Sequence, residues 1–244
     1  MSKDALVLRV EDVIPATAST RIVRLDLAGS TFGYEAGQAA MIGLADHEAR
    51  VPYSIASAPA ESNKYGRLEF LIKVEPSGRW GHRFDGIKAG DELGIRGPYG
   101  SFIFPQKPQD ERFLFIAGGT GISPIRAMIL QALMTGVPGH MQLLYSAKTA
   151  DDFAYLDELG EIASRHASIG LHLHVTREEK DDRPLGPRVS RTERGRITLN
   201  QLAPLLDNPA TLCFVCGPET MVAAVPRMLR ELGVEQSRIR LEEW

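Results

Sequence analysis

The chain has 244 residues, with 28 basic and 31 acidic side chains and a formal net charge of −3. That length houses one large or two ordinary domains, and the near balance of charge leaves no basic field for nucleic acid and no charged block of the kind that stays disordered. No apolar run approaches the roughly 20 residues that cross a bilayer, the first residues carry no signal-peptide apolar core, and Cys213 and Cys216 are too few for a disulfide framework, a four-cysteine zinc site or a four-cysteine iron–sulfur cluster, so the expectation is a soluble, cytoplasmic protein. In chain order, residues 6–10, 21–27, 39–44, 53–57, 68–74 and 92–96 are short strand-like runs. Turn residues separate them, among them Gly29, Gly37, Pro59, Asn63, Gly66, Pro76 and Gly90. Short strands so spaced predict a closed antiparallel barrel, with one short helix near residues 80–87. Residues 104–112 are polar and bear prolines, which puts a domain boundary there and divides the chain into 1–106 and 107–244.

Strands and helices alternate after that boundary. Residues 113–117 are a continuous apolar run, the pattern of a strand buried on both faces. Gly118, Gly119, Thr120 and Gly121 follow at once, and Pro124 opens a helix over 125–134. Strands are expected at 141–146, 170–176, 211–216 and 238–241, with helices near 155–165 and 219–232. The charged stretch 178–194 reads as an exposed loop. Alternation of this kind implies a parallel sheet covered on both faces, with ligands beyond the carboxyl ends of its strands. The fold class is therefore β followed by α/β: an N-terminal antiparallel Greek-key barrel, then a doubly wound nucleotide-binding domain. A strand, a glycine turn and a helix in succession bring a phosphate to free N–H groups at a helix N-terminus. Cys216-Gly217-Pro218 also falls at a strand end, so both stretches can face one crevice. The Cys213–Cys216 spacing is not that of a redox pair, because residues three apart in a strand face opposite sides and the redox motif starts at a helix N-terminus.

A barrel carrying Tyr53-Ser54, a sheet domain opening on Gly118-Gly119-Thr120-Gly121 with Pro124, and Cys216-Gly217-Pro218 near the end together resemble the ferredoxin–NADP reductase family, in its two-domain form without a fused ferredoxin domain. The resemblance spans nearly the whole chain. It implies FAD in the barrel, NADPH or NADH in the second domain, and hydride transfer from nicotinamide to flavin N5. Electrons then pass singly to a separate ferredoxin or flavodoxin. It also implies that Tyr53 packs on the isoalloxazine, that Ser54 hydrogen-bonds near N5, and that Ile72, Lys73 and Val74 contact the ring. Two positions depart from the family pattern: Val51 stands where the pyrophosphate-binding arginine belongs, and Gly81 replaces a hydroxyl in the Gly78-Arg79-Trp80-Gly81 stretch. Arg79, or Arg50 after a backbone twist, is the candidate for the missing charge. Cys216 is implied beside nicotinamide C4. Trp244 is implied as a terminal aromatic gate stacking on the flavin, and Glu242, two residues before it, as a carboxylate near the proton relay.

Coenzyme choice turns on cations at strand ends that pair with a 2′-phosphate. Lys148, Arg177 and Arg196 are the candidates and favour NADPH, while Glu178 and Glu179 keep NADH open. The six histidines show no ligand spacing with the cysteines, so no metal is expected. Partners are a one-electron carrier protein, with neither nucleic acid nor membrane, and the chain is expected to be a monomer. The rival readings are an electron-transfer subunit of a fixed complex and a non-catalytic nucleotide-binding sensor.

Overall fold

The computed structural model describes residues 6–74, 84, 86–177, 189–191 and 194–243. The chain divides into two compact units, residues 1–105 with 126–136, and residues 106–125 with 137–244. Among the described residues no helix is long and apolar enough to cross a membrane.

The first unit is an antiparallel barrel. Its strands are β1 (Leu6–Thr17), β2 (Thr20–Asp26), β3 (Ala39–Leu44), β4 (Val51–Ser54), β5 (Arg67–Lys73) and β6 (Glu92–Tyr99), in the sheet order β4-β3-β6-β1-β2-β5. Strand β6 pairs with both β1 and β3, the crossing connection of a Greek key. The two ends of the sheet meet through a single bridge, Ile55 with Phe70, backed by the Ala56 N–H donating to the Glu69 carbonyl at 2.8 Å. Alternation does the rest: Leu8, Val10, Val23, Leu25, Ile42, Phe70, Leu93 and Ile95 point inward and fill the core.

Of the helix expected near 80–87, residues 80–83 and 85 lie outside the described residues. One feature of this unit differs from the sequence reading: helix α1 (Pro59–Tyr65) occupies a stretch read as turns. Pro59 has the φ a first helical residue needs, the Glu61 carboxylate accepts the Ala58 N–H at 3.2 Å, and Gly66 closes the helix at φ 69° with its N–H on the Ser62 carbonyl. The supposed breakers are caps.

The second unit is a six-stranded parallel sheet, β7 (Arg112–Gly118), β8 (His140–Ala147), β9 (Ile169–Val175), β10 (Val189–Arg191), β11 (Leu212–Gly217) and β12 (Ile239–Glu243), ordered β10-β9-β8-β7-β11-β12. The chain starts in the middle at β7, winds outward through β8 to β10, then returns to the other side of β7 for β11 and β12. The order therefore reverses between β7 and β11, the switch point where doubly wound sheets open a crevice. Helices α2 (Ile122–Met134), α3 (Leu156–Arg165), α4 (Leu199–Leu202) and α5 (Glu219–Glu231) make the connections. Leu114, Ile116, Cys213 and Val215 pack with Val225 and Leu229 of α5 on one face. Phe113, Phe115 and Phe214 line the other, with Phe115 and Phe214 stacked at 5.3 Å. The loop expected over 178–194 contains β10, an edge strand held by three register pairs to β9. Three residues are too few for periodicity to announce.

Candidate active site

The glycine turn is built by leaving side chains out. β7 is buried up to Gly118, residues 119–121 make one tight 3-10 turn, and α2 starts at Ile122 with Pro124 in its first turn. A Cβ on Gly121 would lie 2.3 Å from the Cys216 carbonyl oxygen, and one on Gly118 would lie 2.8 Å from Met221 Cε and Pro218 Cδ. These two glycines let the turn lie directly on the end of β11. Gly119 has φ +55° and nothing within 4 Å of its missing side chain, so it turns the chain and leaves open space above its backbone. The structure thus brings Gly118–Gly121 and Cys216-Gly217-Pro218 together at the switch point. The register sets Ala117, Cys216 and Glu242 side by side on β7, β11 and β12. Cys216 is buried and Glu242 half-buried. Thr120 accepts at its carbonyl from Ser123 Oγ at 3.0 Å.

Sequence reading missed Tyr145. Its ring is fully buried edge-on to Phe153, its hydroxyl donates to the Gly119 carbonyl at 3.2 Å, and it accepts the Ala154 N–H at 3.1 Å. Burial raises its phenol pKa, so it stays a donor. A tyrosine directly after the apolar pair Leu143-Leu144 in the buried part of β8 is the available signal, since a buried hydroxyl needs a partner.

In the barrel, Tyr53 and Ser54 stand on β4, half-buried and buried respectively. Among the described residues, beyond the bridge between Ile55 and Phe70, β4 pairs only with β3 and β5 only with β2. Two backbone edges, residues 51–54 and 71–73, are therefore left outside any shared ladder. Tyr53 reaches across this opening, its phenol raised to about 12 by burial and partly drawn back by a backbone hydrogen bond from Lys73. Its ring meets Phe84 edge-on at 5.9 Å. A flat heteroaromatic with acceptors and donors on its rim suits a place where two neighbouring strand edges share no ladder. Ile72 and Val74 are buried and Lys73 is exposed. Val51 is core, 2 % exposed and paired with Ile42. Arg50 donates to the His47 and Glu48 carbonyls at 2.7 and 3.1 Å and lies over Gly43 and Gly94, so its guanidinium is already engaged on its own loop. Gly78, Arg79, Trp80, Gly81 and Trp244 lie outside the described residues.

The cations fall at the carboxyl end of the parallel sheet. Lys148 and Arg177 follow β8 and β9, both exposed, and the Arg177 N–H donates to the Lys148 carbonyl at 2.9 Å. Arg196 is exposed next to Gly195, whose carbonyl accepts from His174 Nε2 at 2.7 Å. Burial lowers the pKa of both His172 and His174. His172 sits between Ser190 Oγ and Gln142 Oε1, each at 2.7 Å. Both cysteines are free; Cys213 packs in the α5-facing core and burial raises its thiol to about 12. A cavity of about 810 Å³ lined by Arg112, His140, Gln142, His172 and Asp207 lies at the amino ends of the strands. That is the wrong end of a doubly wound sheet for a nucleotide, so the crevice at the glycine turn is the better candidate.

Known proteins match this division. Residues 7–104 match the model described as "Oxidoreductase FAD-binding domain" and residues 115–227 that described as "Oxidoreductase NAD-binding domain". The ferredoxin–NADP reductase B of Sorangium cellulosum is 30% identical over 251 residues, 99% of this chain and 97% of that protein. The chain belongs to the ferredoxin–NADP reductase family. The reductase component of propane 2-monooxygenase from Rhodococcus jostii is 29% identical over 96% of this chain, which spans 61% of that relative. The crystal structure of the Amycolatopsis cytochrome P450 reductase GcoB superposes with a TM-score of 0.81 at 26% identity, over 98% of this chain and 69% of that one. The protein is a flavin-dependent reductase with FAD- and NAD-binding domains, and the sensor reading gives way.

Proposed function

We propose that this reductase draws on NADPH in preference to NADH and delivers electrons to a separate one-electron carrier, a ferredoxin or flavodoxin, as a cytoplasmic monomer. The chemistry a bound FAD would supply is acceptance of hydride from the nicotinamide and release of the two electrons one at a time. The chain's own residues bind and orient. The N–H groups of the glycine turn and of α2 hold the coenzyme pyrophosphate, and Tyr145 fixes the Gly119 peptide that presents them. Cys216 gives the nicotinamide a small, apolar neighbour, and Glu242, one strand over, is the carboxylate nearest it in register. Tyr53 packs against the isoalloxazine at the opening between β4 and β5 and keeps water off it. Ser54 holds the proton at N5, with Ile72, Lys73 and Val74 along the other edge. Lys148, Arg177 and Arg196 support the preference for a 2′-phosphate, because they gather at the sheet end where the adenosine ribose of a bound coenzyme falls. Gly78–Gly81 and Trp244 keep their roles of pyrophosphate binding and gating within this reading. Two free buried thiols fit a reducing compartment.

The observation that carries the reading is the contact of Gly121 with Cys216 at the switch point, which only a missing side chain permits. The test is an anaerobic titration of the purified protein. NADPH is expected to bleach the flavin absorbance at lower concentration than NADH, and bleaching by NADH alone overturns the coenzyme preference. Added ferredoxin and flavodoxin are then compared as acceptors for the reoxidation, and equal rates with neither present argue against a protein carrier.

A further inference from the structure

The barrel unit contains a buried charge cluster that neither cofactor site uses. Arg126 lies on α2, in the segment 126–136 that belongs with the barrel. It is 3 % exposed in a helix turn otherwise made of Ile125, Ala127, Met128 and Ile129, all buried. Its Nη1 donates to the Ala56 carbonyl at 2.8 Å and to Glu61 Oε2 at 3.1 Å, and its Nη2 donates to Glu61 Oε1 at 3.2 Å. Glu69 Oε1 faces the same guanidinium at 3.4 Å, an ionic contact. Glu69 is 2 % exposed and takes Arg24 Nε on its other oxygen at 2.8 Å. Gln131, further along the helix, accepts the Ala60 N–H at 2.9 Å.

The location matters more than the charge count. Ala56 and Glu69 are the residues that close the barrel: the Ala56 N–H donates to the Glu69 carbonyl, and the Glu69 N–H donates to Ser57 Oγ at 3.0 Å. Arg126 therefore grips the other side of the Ala56 peptide and the side chain of Glu69 at once. Directly beyond this closure the edges 51–54 and 71–73 share no ladder, which is the opening described above. A guanidinium with a rigid fork of donors is suited to fixing several acceptors in one plane, which an ammonium cannot do. Without it, two carboxylates face one another in a buried space with Arg24 on only one of them, and the closure loses its outer restraint.

We propose that Arg126 is a positioning residue for the flavin, setting the width of the opening between β4 and β5 by clamping the Ala56–Glu69 closure. The proposal rests on the placement of FAD at that opening given under the function above. It acts through backbone, so Arg126 touches no cofactor.

The test uses the full chain and measures FAD affinity of the apoprotein by fluorescence titration, with the visible spectrum of bound flavin as second readout. Arg126→Gln is expected to weaken FAD by about tenfold or more and to blur the resolved structure of the flavin absorption band. Arg126→Lys is expected to recover only part of the affinity. Leu8→Ala, a cavity in the barrel core on β1, where Leu8 pairs with Leu93 and with neither closing strand, serves as the stability comparison: it should lower the unfolding temperature and leave FAD affinity within about twofold. A purely structural Arg126 would behave like Leu8→Ala, and FAD binding of Arg126→Gln within twofold of the parent overturns the proposal, as does an equal loss in Leu8→Ala. If Arg126→Gln does not fold, Glu61→Gln decides, with a smaller loss of FAD affinity supporting the clamp and an unchanged affinity overturning it. A parent that takes up no FAD overturns the functional reading and this inference together, whereas a yellow parent with an equally yellow Arg126→Gln overturns only the inference.

Discussion

The barrel and the parallel sheet make their sites by opposite means. In the sheet, space comes from side chains left out: Gly118 and Gly121 bring two strand ends into contact, and Gly119 leaves its surroundings open. In the barrel, space comes from strand pairing left out, between β4 and β5 beyond a single bridge. The buried polar groups differ as well. The barrel unit buries the ions Arg126 and Glu69, with half-buried Glu61 beside them, and needs them paired, along with hydroxyls such as Ser57 and Ser62. Among the described residues the sheet unit buries neutral hydrogen-bonders, Tyr145 and His174 among them, with His172 half-buried. A site made of absent atoms tolerates no additions, while one made of parted strands tolerates changes in side chains as long as the parting is held.

That contrast is easiest to break at Gly121. A methyl group there meets the Cys216 carbonyl oxygen at 2.3 Å, and backbone cannot yield as a flexible side chain would. Gly121→Ala is expected to cost about 3 kcal/mol of stability, at the upper end for overpacking, and to abolish coenzyme binding while FAD remains bound. Thermal unfolding and the flavin content of the purified variant check both halves. Equal loss of FAD would show that the two sites are not made separately. On the barrel side, Ser54→Ala should retain FAD and slow flavin reduction by NADPH on the order of tenfold or more, as expected for loss of a proton-handling group. Stopped-flow absorbance measures it, and an unchanged rate removes Ser54 from the reaction.

A subtler probe takes one oxygen from the sheet site. Tyr145→Phe keeps the ring on Phe153 and removes the donor to Gly119 together with the acceptor for the Ala154 N–H. The expected loss is about 2 kcal/mol, since two hydrogen bonds go and the buried Ala154 N–H loses its acceptor. The KM for the coenzyme should rise several-fold with kcat nearly constant, because the turn binds and does not react. A change in kcat with KM intact contradicts the assignment.

The two regions also differed in how far the sequence could be read. Continuous apolar runs and a glycine turn announced the parallel sheet and its crevice, because both signals are local: Phe113 to Pro124 carries a strand, a turn and the start of a helix in twelve neighbours. Alternating runs announced the barrel strands equally well, but not the opening between β4 and β5, which depends on where pairing stops. Pro59 and Gly66 were misleading because the same residues that end a strand also open and close a helix, and Asn63 lies inside the helix they bound. Arg126 was legible as an oddity, a charge in an apolar helix. Its partner Glu61 stands 65 positions away, beyond anything spacing can indicate. Val51 was legible as a departure from the family pattern, and only its burial against Ile42 shows that the position has become barrel core.

The smallest expected effect tests the division between buried ions and buried neutral groups. Burial holds His172 below the ordinary histidine pKa of 6.5, and the same holds for His174, whose backbone hydrogen bond to Gly195 opposes the shift without reversing it. A depressed folded-state pKa means that the unfolded chain binds protons more readily than the native one. The stability these histidines contribute is fully present above about pH 6.5 and drains away as the pH falls from there toward the lowered folded value. The unfolding temperature of the parent should therefore decline between pH 7 and pH 5. His172→Gln keeps a polar side chain between Ser190 and Gln142 but cannot titrate, so its curve over that range should be flatter, by a smaller margin than any loss above. An unchanged slope in the variant would take the acid sensitivity away from His172.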